Sequence, residues 1–157
     1  MMRRLIAMPA AVMAIALVAA GCGSSDEETA TTPELTKVEF IERGDAICKK
    51  GNAQIEREVE TYVKENEINR ISPTEEDQNE VTAEVVVPGL QAQADQLSEL
   101  GAPSAEEEEI DAIVDALETG IDELEDDPGA LFRTEVSPLD EAKELAKKFG
   151  LEQCARE

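Results

Sequence analysis

Six apolar residues, Ile110, Ile113, Val114, Leu117, Ile121 and Leu124, recur at spacings of mostly three and four, and this stripe constrains the fold more than any other feature of the chain. Side chains three and four apart share one face of an α-helix. A half-buried strand would instead alternate apolar and polar residues. The stripe follows "SAEE", Ser104–Glu107, a start in which the Ser hydroxyl caps the first turn and the Glu reaches back to it. It predicts a helix over 105–126, stopped before "DPG". One amphipathic helix cannot bury its own stripe, so it needs helical neighbours.

The rest of the chain supplies them. Thr36 and Glu39 form the same capping pattern, and a helix is expected over 37–65. Ile41, Cys48, Ile55 and Tyr62 recur every seven residues, and Phe40, Ile47, Val59 and Val63 widen the stripe. Gly44 and Gly51 each weaken this helix by roughly 1 kcal/mol relative to Ala, and so mark positions for a close neighbour. "SPTE", Ser72–Glu75, opens a second helix over 73–100 with Pro73 in its first turn. Its "VVVP", Val85–Pro88, could be read as a strand. Leu90, Ala94, Leu97 and Leu100 resume helical spacing behind it, so the expectation is a helix kinked at Pro88. "SPLD", Ser137–Asp140, opens a last helix over 138–149, with Leu139, Ala142, Leu145, Ala146 and Phe149 on one face. Gly150 followed by Leu151 has the form of a glycine helix stop with an apolar residue behind it. Between the last two helices, "GALFRTEV" accommodates a short helical turn through Leu131 and Phe132. The fold class expected is all-α, a small antiparallel-type bundle of about four helices. With no Trp and 3% aromatic residues, its core is built from Ile, Val, Leu and Ala.

The N-terminus is of another kind. Arg3 and Arg4 precede an apolar run from Leu5 to Ala20, which is short for a membrane span of roughly 20 residues and has the build of a secretory signal. An uncleaved membrane anchor is the competing reading. The run ends in "VAAGC", with Ala19, Ala20 and Gly21 directly before Cys22. This resembles the lipobox of bacterial lipoproteins, in which the cysteine thiol takes a diacylglycerol and the chain is cut just before it. Leu is the commonest residue three before that cysteine; Ala19 is an accepted alternative. The resemblance implies residues 1–21 as signal and Cys22 as the lipidated residue. Ordinary cleavage after Ala20 would instead leave a free secreted protein. Residues 22–35 then form a polar tether, whose last 13 residues reach roughly 45 Å when extended, ahead of a helical domain over 36–157.

Removal of residues 1–21 takes away Arg3 and Arg4 and no acid, leaving 12 bases against 37 acids and a charge of −25. Nucleic acid requires a basic footprint and is excluded as a partner. The charge also opposes lying flat on anionic lipid. The membrane is therefore expected as a partner only through the anchor at Cys22.

With Cys22 assigned to lipid, the three cysteines resolve to one pair, Cys48 and Cys154, and an exported protein keeps such a pair oxidised. Free thiols, a catalytic thiol and a metal site are the rivals. A catalytic thiol needs a base, usually His, and the chain has none. Zinc needs more Cys or His than two distant cysteines. The acid run "EEEEID", Glu106–Asp111, reads as a solvated first turn favoured by the helix dipole. The alternative is calcium, but "DELEDDPGALF", Asp122–Phe132, lacks the ligand spacing of a calcium loop. No nucleophile elbow, zinc-protease helix or phosphate loop is present. No catalytic residue, metal or cofactor is expected.

Taken together, "TKVEFIERGDAICKKGNAQI", "VVVPGLQAQADQLSELGAP" and "AKELAKKFGLEQC" resemble small exported lipoproteins of high-GC Gram-positive bacteria, through Phe40, Cys48, Pro88, Gly150 and Cys154. The resemblance implies a helical extracytoplasmic domain with one disulfide and brings no catalytic residue. The expected function is a non-enzymatic, lipid-anchored binding or interaction module on the outer face of the cytoplasmic membrane. The alternatives are a low-affinity divalent-cation binder with an acidic surface and an enzyme of unrecognised type.

Overall fold

The computed structural model describes residues 34–132 and 136–156. The stretch expected to be signal, Cys22 and the expected tether up to residue 33 lie outside the described residues. What is described is entirely helical and belongs to one compact unit.

Helix α1 runs Lys37–Glu65. Thr36 Oγ1 accepts from Glu39 N–H at 3.3 Å, and Thr36 N–H donates to the Glu39 carboxylate at 2.9 Å, completing the expected capping box. These bonds hold the Glu39 carboxyl below the usual range.

Helix α2 occupies residues 75–99 in three joined pieces: an α-segment Glu75–Val81, a π-turn Thr82–Val86 and an α-segment Val87–Glu99. It starts two residues later than expected because Thr74, not Ser72, is the cap. Asn69 Oδ1 accepts from Ile71 N–H at 3.0 Å and Ser72 N–H at 3.3 Å, folding the loop ahead of the helix. Thr74 Oγ1 then accepts from Asp77 N–H at 3.1 Å, and Thr74 N–H donates to Asp77 Oδ2 at 2.8 Å.

The kink expected at Pro88 takes the form of the π-turn. Proline has no N–H for the carbonyl of Glu84, and its ring crowds that oxygen. A wider turn relieves the crowding, and Val87 N–H bonds back to Thr82 O. The extra residue rotates the apolar face, so that Val85 and Val87 are both buried although only two positions apart.

Helix α3 is Glu107–Asp126, and helix α4 is Asp140–Phe149. Both also start two residues later than the sequence pattern suggests. Ser104 caps nothing: its N–H donates to the Glu34 carboxylate, and a turn closed by Glu106 N–H to Pro103 O at 2.9 Å comes first. Before α4, Ser137 N–H donates to Asp140 Oδ2 at 2.9 Å around a turn through Pro138 and Leu139. A 3₁₀ turn, Pro128–Phe132, carries Leu131 and Phe132. Gly150 ends α4 in the left-handed region at φ 109°, and the N–H groups of Gly150 and Leu151 both reach Ala146 O. Leu151 is thereby turned into the core, 1% exposed.

The helices pack antiparallel in chain order. Along α1, Gly44, Gly51 and Ile55 meet Leu97, Gln93 and Gly89 of α2, so residue numbers rise on one helix as they fall on the other. A Cβ on Gly44 would come within 2.7 Å of Leu151 Cδ2, which is why the helix carries glycine there. Leu97 packs with Val114 of α3, while Val87 and Ala94 pack with Ile121 and Leu124. Ile110 and Ile113 meet Ala146 and Phe149 of α4. Phe40 closes the circuit from α1 to α4, edge to face with Phe149 at 5.9 Å between ring centroids.

Candidate functional site

Cys48 lies fully buried on the inner face of α1, and Cys154 follows the last helix by five residues. They form a disulfide with Cα atoms 5.0 Å apart, closing a sequence separation of 106. The bridge brings the chain's last residues across α1, and polar bonds fix them there. Gln153 N–H donates to Asp45 Oδ1 at 2.7 Å, and Asn52 Nδ2 donates to Gln153 O at 3.3 Å. Arg156 Nη1 donates to Gln153 Oε1 at 3.2 Å, which directs the guanidinium along the tail.

This arrangement frames a cleft of about 470 Å³ between α1, α2 and the tail. Its walls are apolar at Ile55, Val86, Leu90 and Leu139 and polar at Lys49, Asn52, Glu56, Gln153 and Arg156. Behind it lies a smaller cavity of about 80 Å³, reaching to the disulfide. Asn52, Leu90, Leu139 and Arg156 line both spaces; the inner one adds Gln93 and Lys143. Gln93 is 4% exposed and its Nε2 has no hydrogen-bond partner. Among the described residues, neither Lys49 nor Lys143 forms an ion pair.

A second concavity, of about 300 Å³, opens at the other end of α1. Val59, Val63, Ile68, Val81 and Phe132 line it, with Arg70 at its edge donating to Glu60 O at 3.4 Å. Its surroundings are acidic. The phenol of Tyr62 is pushed up by burial first and then by the charges of Glu80 and Glu84 facing it from α2.

Of the residues singled out in the sequence, Cys48 and Cys154 come together, and Cys22 is outside the described residues. Of the acid run from Glu106 to Asp111, Glu107, Glu108, Glu109 and Asp111 are exposed in the first turns of α3, with Glu106 half-buried just before it. Among the described residues, no group of three or more Cys, Asp or Glu is placed to hold a metal ion. No helix among them is long and apolar enough to cross a membrane. Gln93 and Arg156 were not legible as site residues. A signal for Gln93 exists: it sits four residues from both Gly89 and Leu97, a polar residue on the buried face. Comparison of the chain with protein-family models, curated proteins and solved structures finds no match.

Proposed function

We propose that this chain is an exported lipoprotein, held by acyl chains on Cys22 to the outer face of the cytoplasmic membrane, where its stapled helical domain serves as a non-enzymatic binding module. The observation that carries the proposal is "VAAGC" at the end of the apolar run from Leu5 to Ala20. The disulfide supports it, since such bonds persist in oxidising compartments and are rare in the cytosol. Two or more acyl chains hold a protein stably at ~0.8 kcal/mol per buried CH₂. The strong negative charge keeps the domain off anionic headgroups, and the tether spaces it from them. A binding role is supported by a cleft that pairs apolar walls with a few polar groups.

Metabolic labelling with an alkynyl fatty acid tests the anchor. The wild-type protein takes the label, and Cys22→Ala abolishes it. A Cys22→Ala protein that still carries label refutes the assignment.

A further inference from the structure

The cleft beside the disulfide is chemically out of character with the rest of the surface. The chain carries 37 acids against 14 bases, yet Lys49, Lys143 and Arg156 line this one pair of connected spaces, against the single acid Glu56. Gln93 lines the inner space, and its Nε2, packed over Gly51, has no hydrogen-bond partner. Leaving such a donor buried and unpaired is destabilising, a cost that an apolar residue of similar volume would avoid. A donor without a partner, in a cavity with basic and apolar walls, is the arrangement that small-molecule sites use to orient a ligand. Planar carboxylates match a guanidinium fork and an amide N–H better than a point cation does.

We propose that the cleft binds a single-chain amphipathic carboxylate. Its apolar body lies against Ile55, Leu90 and Leu139; its carboxylate faces Arg156, and the Gln93 amide, which lines the inner cavity, turns its Nε2 from Gly51 toward the ligand as a second donor. The volume of about 470 Å³ suits one short acyl or alkyl chain. Glu56 in the wall and Asp45, which accepts from Gln153 N–H, oppose an anion locally, while acids beyond roughly 8 Å are screened at physiological ionic strength. The disulfide has a constructive part in the site, since it holds the tail that presents Arg156. The inference deepens the binding-module reading and names its ligand class.

The test uses the full mature protein in phosphatidylcholine nanodiscs and a decanoate probe with a diazirine near its methyl end. Photolysis is expected to label peptides containing Ile55, Leu90 or Leu139. Unlabelled decanoate should compete and decanol should not. Arg156→Ala, whose side chain is exposed and bonded only to Gln153 among the described residues, should fold normally and lower labelling roughly tenfold below saturation. Gln93→Leu should lower it as well, with melting unchanged or raised. Equal labelling by the decylamine analogue, labelling confined to the groove around Val59 and Phe132, or undiminished labelling of Arg156→Ala would each overturn the proposal. Failure of the acyl label at Cys22 is read independently: it would remove the anchor and leave the cleft result standing.

Discussion

The two ends of helix α1 carry the same kind of apolar stripe and meet different fates. At its start, Phe40 and Cys48 are 1% and 2% exposed, covered by Phe149, Leu151 and the bridged tail. At its far end, Val59, Tyr62 and Val63 are only half-buried, and beyond them Phe132 is 46% exposed and Ile71 96%. The cause is length. A 29-residue helix spans roughly 43 Å, whereas the ten residues of α4 span roughly 15 Å and cover only one end. The seven-residue repeat of Ile41, Cys48, Ile55 and Tyr62 says which face is apolar; the lengths of the partners decide how much of it is buried. One end is therefore a packed and cross-linked frame with a basic cleft at its edge, and the other an open, acid-rimmed groove.

Substitutions can break this contrast, and the largest effect should come from the bridge. Cys48→Ala with Cys154→Ala should lower stability by ~4–5 kcal/mol in urea unfolding, the chain-entropy value for a loop of about a hundred residues. A loss under about 1 kcal/mol would mean that packing alone holds that end. Next, Phe40→Ala should cost ~3–5 kcal/mol by removing a buried ring from the core. Val63→Ala, at the open end, should cost less than ~1 kcal/mol. Comparable losses at the two positions would erase the distinction between the ends.

The caps give a smaller effect. Thr74→Ala should cost ~1 kcal/mol at the start of α2. Hydrogen bonds from Thr36 and Thr74 hold the Glu39 and Asp77 carboxyls below their ordinary values of 4.5 and 3.8. A carboxyl lowered in the folded state stabilises it above the ordinary value, and that stabilisation disappears as pH falls through the folded value. The melting temperature should therefore fall as pH is lowered below about 4.5. The doubly substituted Glu39→Gln, Asp77→Asn protein should show a shallower fall. An unchanged pH profile in that variant would remove these caps from the account. Smallest of all, Phe132→Ser should leave stability within ~0.5 kcal/mol, because the ring is nearly half exposed.

What could be read from the sequence depends on how local its cause is. Thr36 with Glu39, and Gly150 with Leu151, act within five residues, and both ends of the fold stand where the pattern puts them. The start of α2 stands two residues past the Ser72-x-x-Glu75 pattern because Thr74-x-x-Asp77 overlaps it as a second cap, and the Asn69 turn goes with the second. The start of α3 depends on Glu34, 70 residues away, taking the Ser104 N–H. Pro88 announces a disturbance, but the choice of a π-turn over a bend follows from burying both Val85 and Val87. The cleft is the least legible feature. It exists because the bridge brings Gln153 and Arg156 against Asn52, about a hundred residues apart in the chain, and no spacing rule signals that meeting.

The contrast between the ends can be tested in one titration. Amide ¹H–¹⁵N spectra of the mature protein in nanodiscs, with decanoate added, should shift residues 49–56 and 153–156 saturably and leave residues 59–70 and 77–81 in place. Reduction of the disulfide should abolish those shifts. Saturable shifts confined to residues 59–81, or a response at 49–56 that survives reduction unchanged, would contradict a binding module built on its disulfide-framed end.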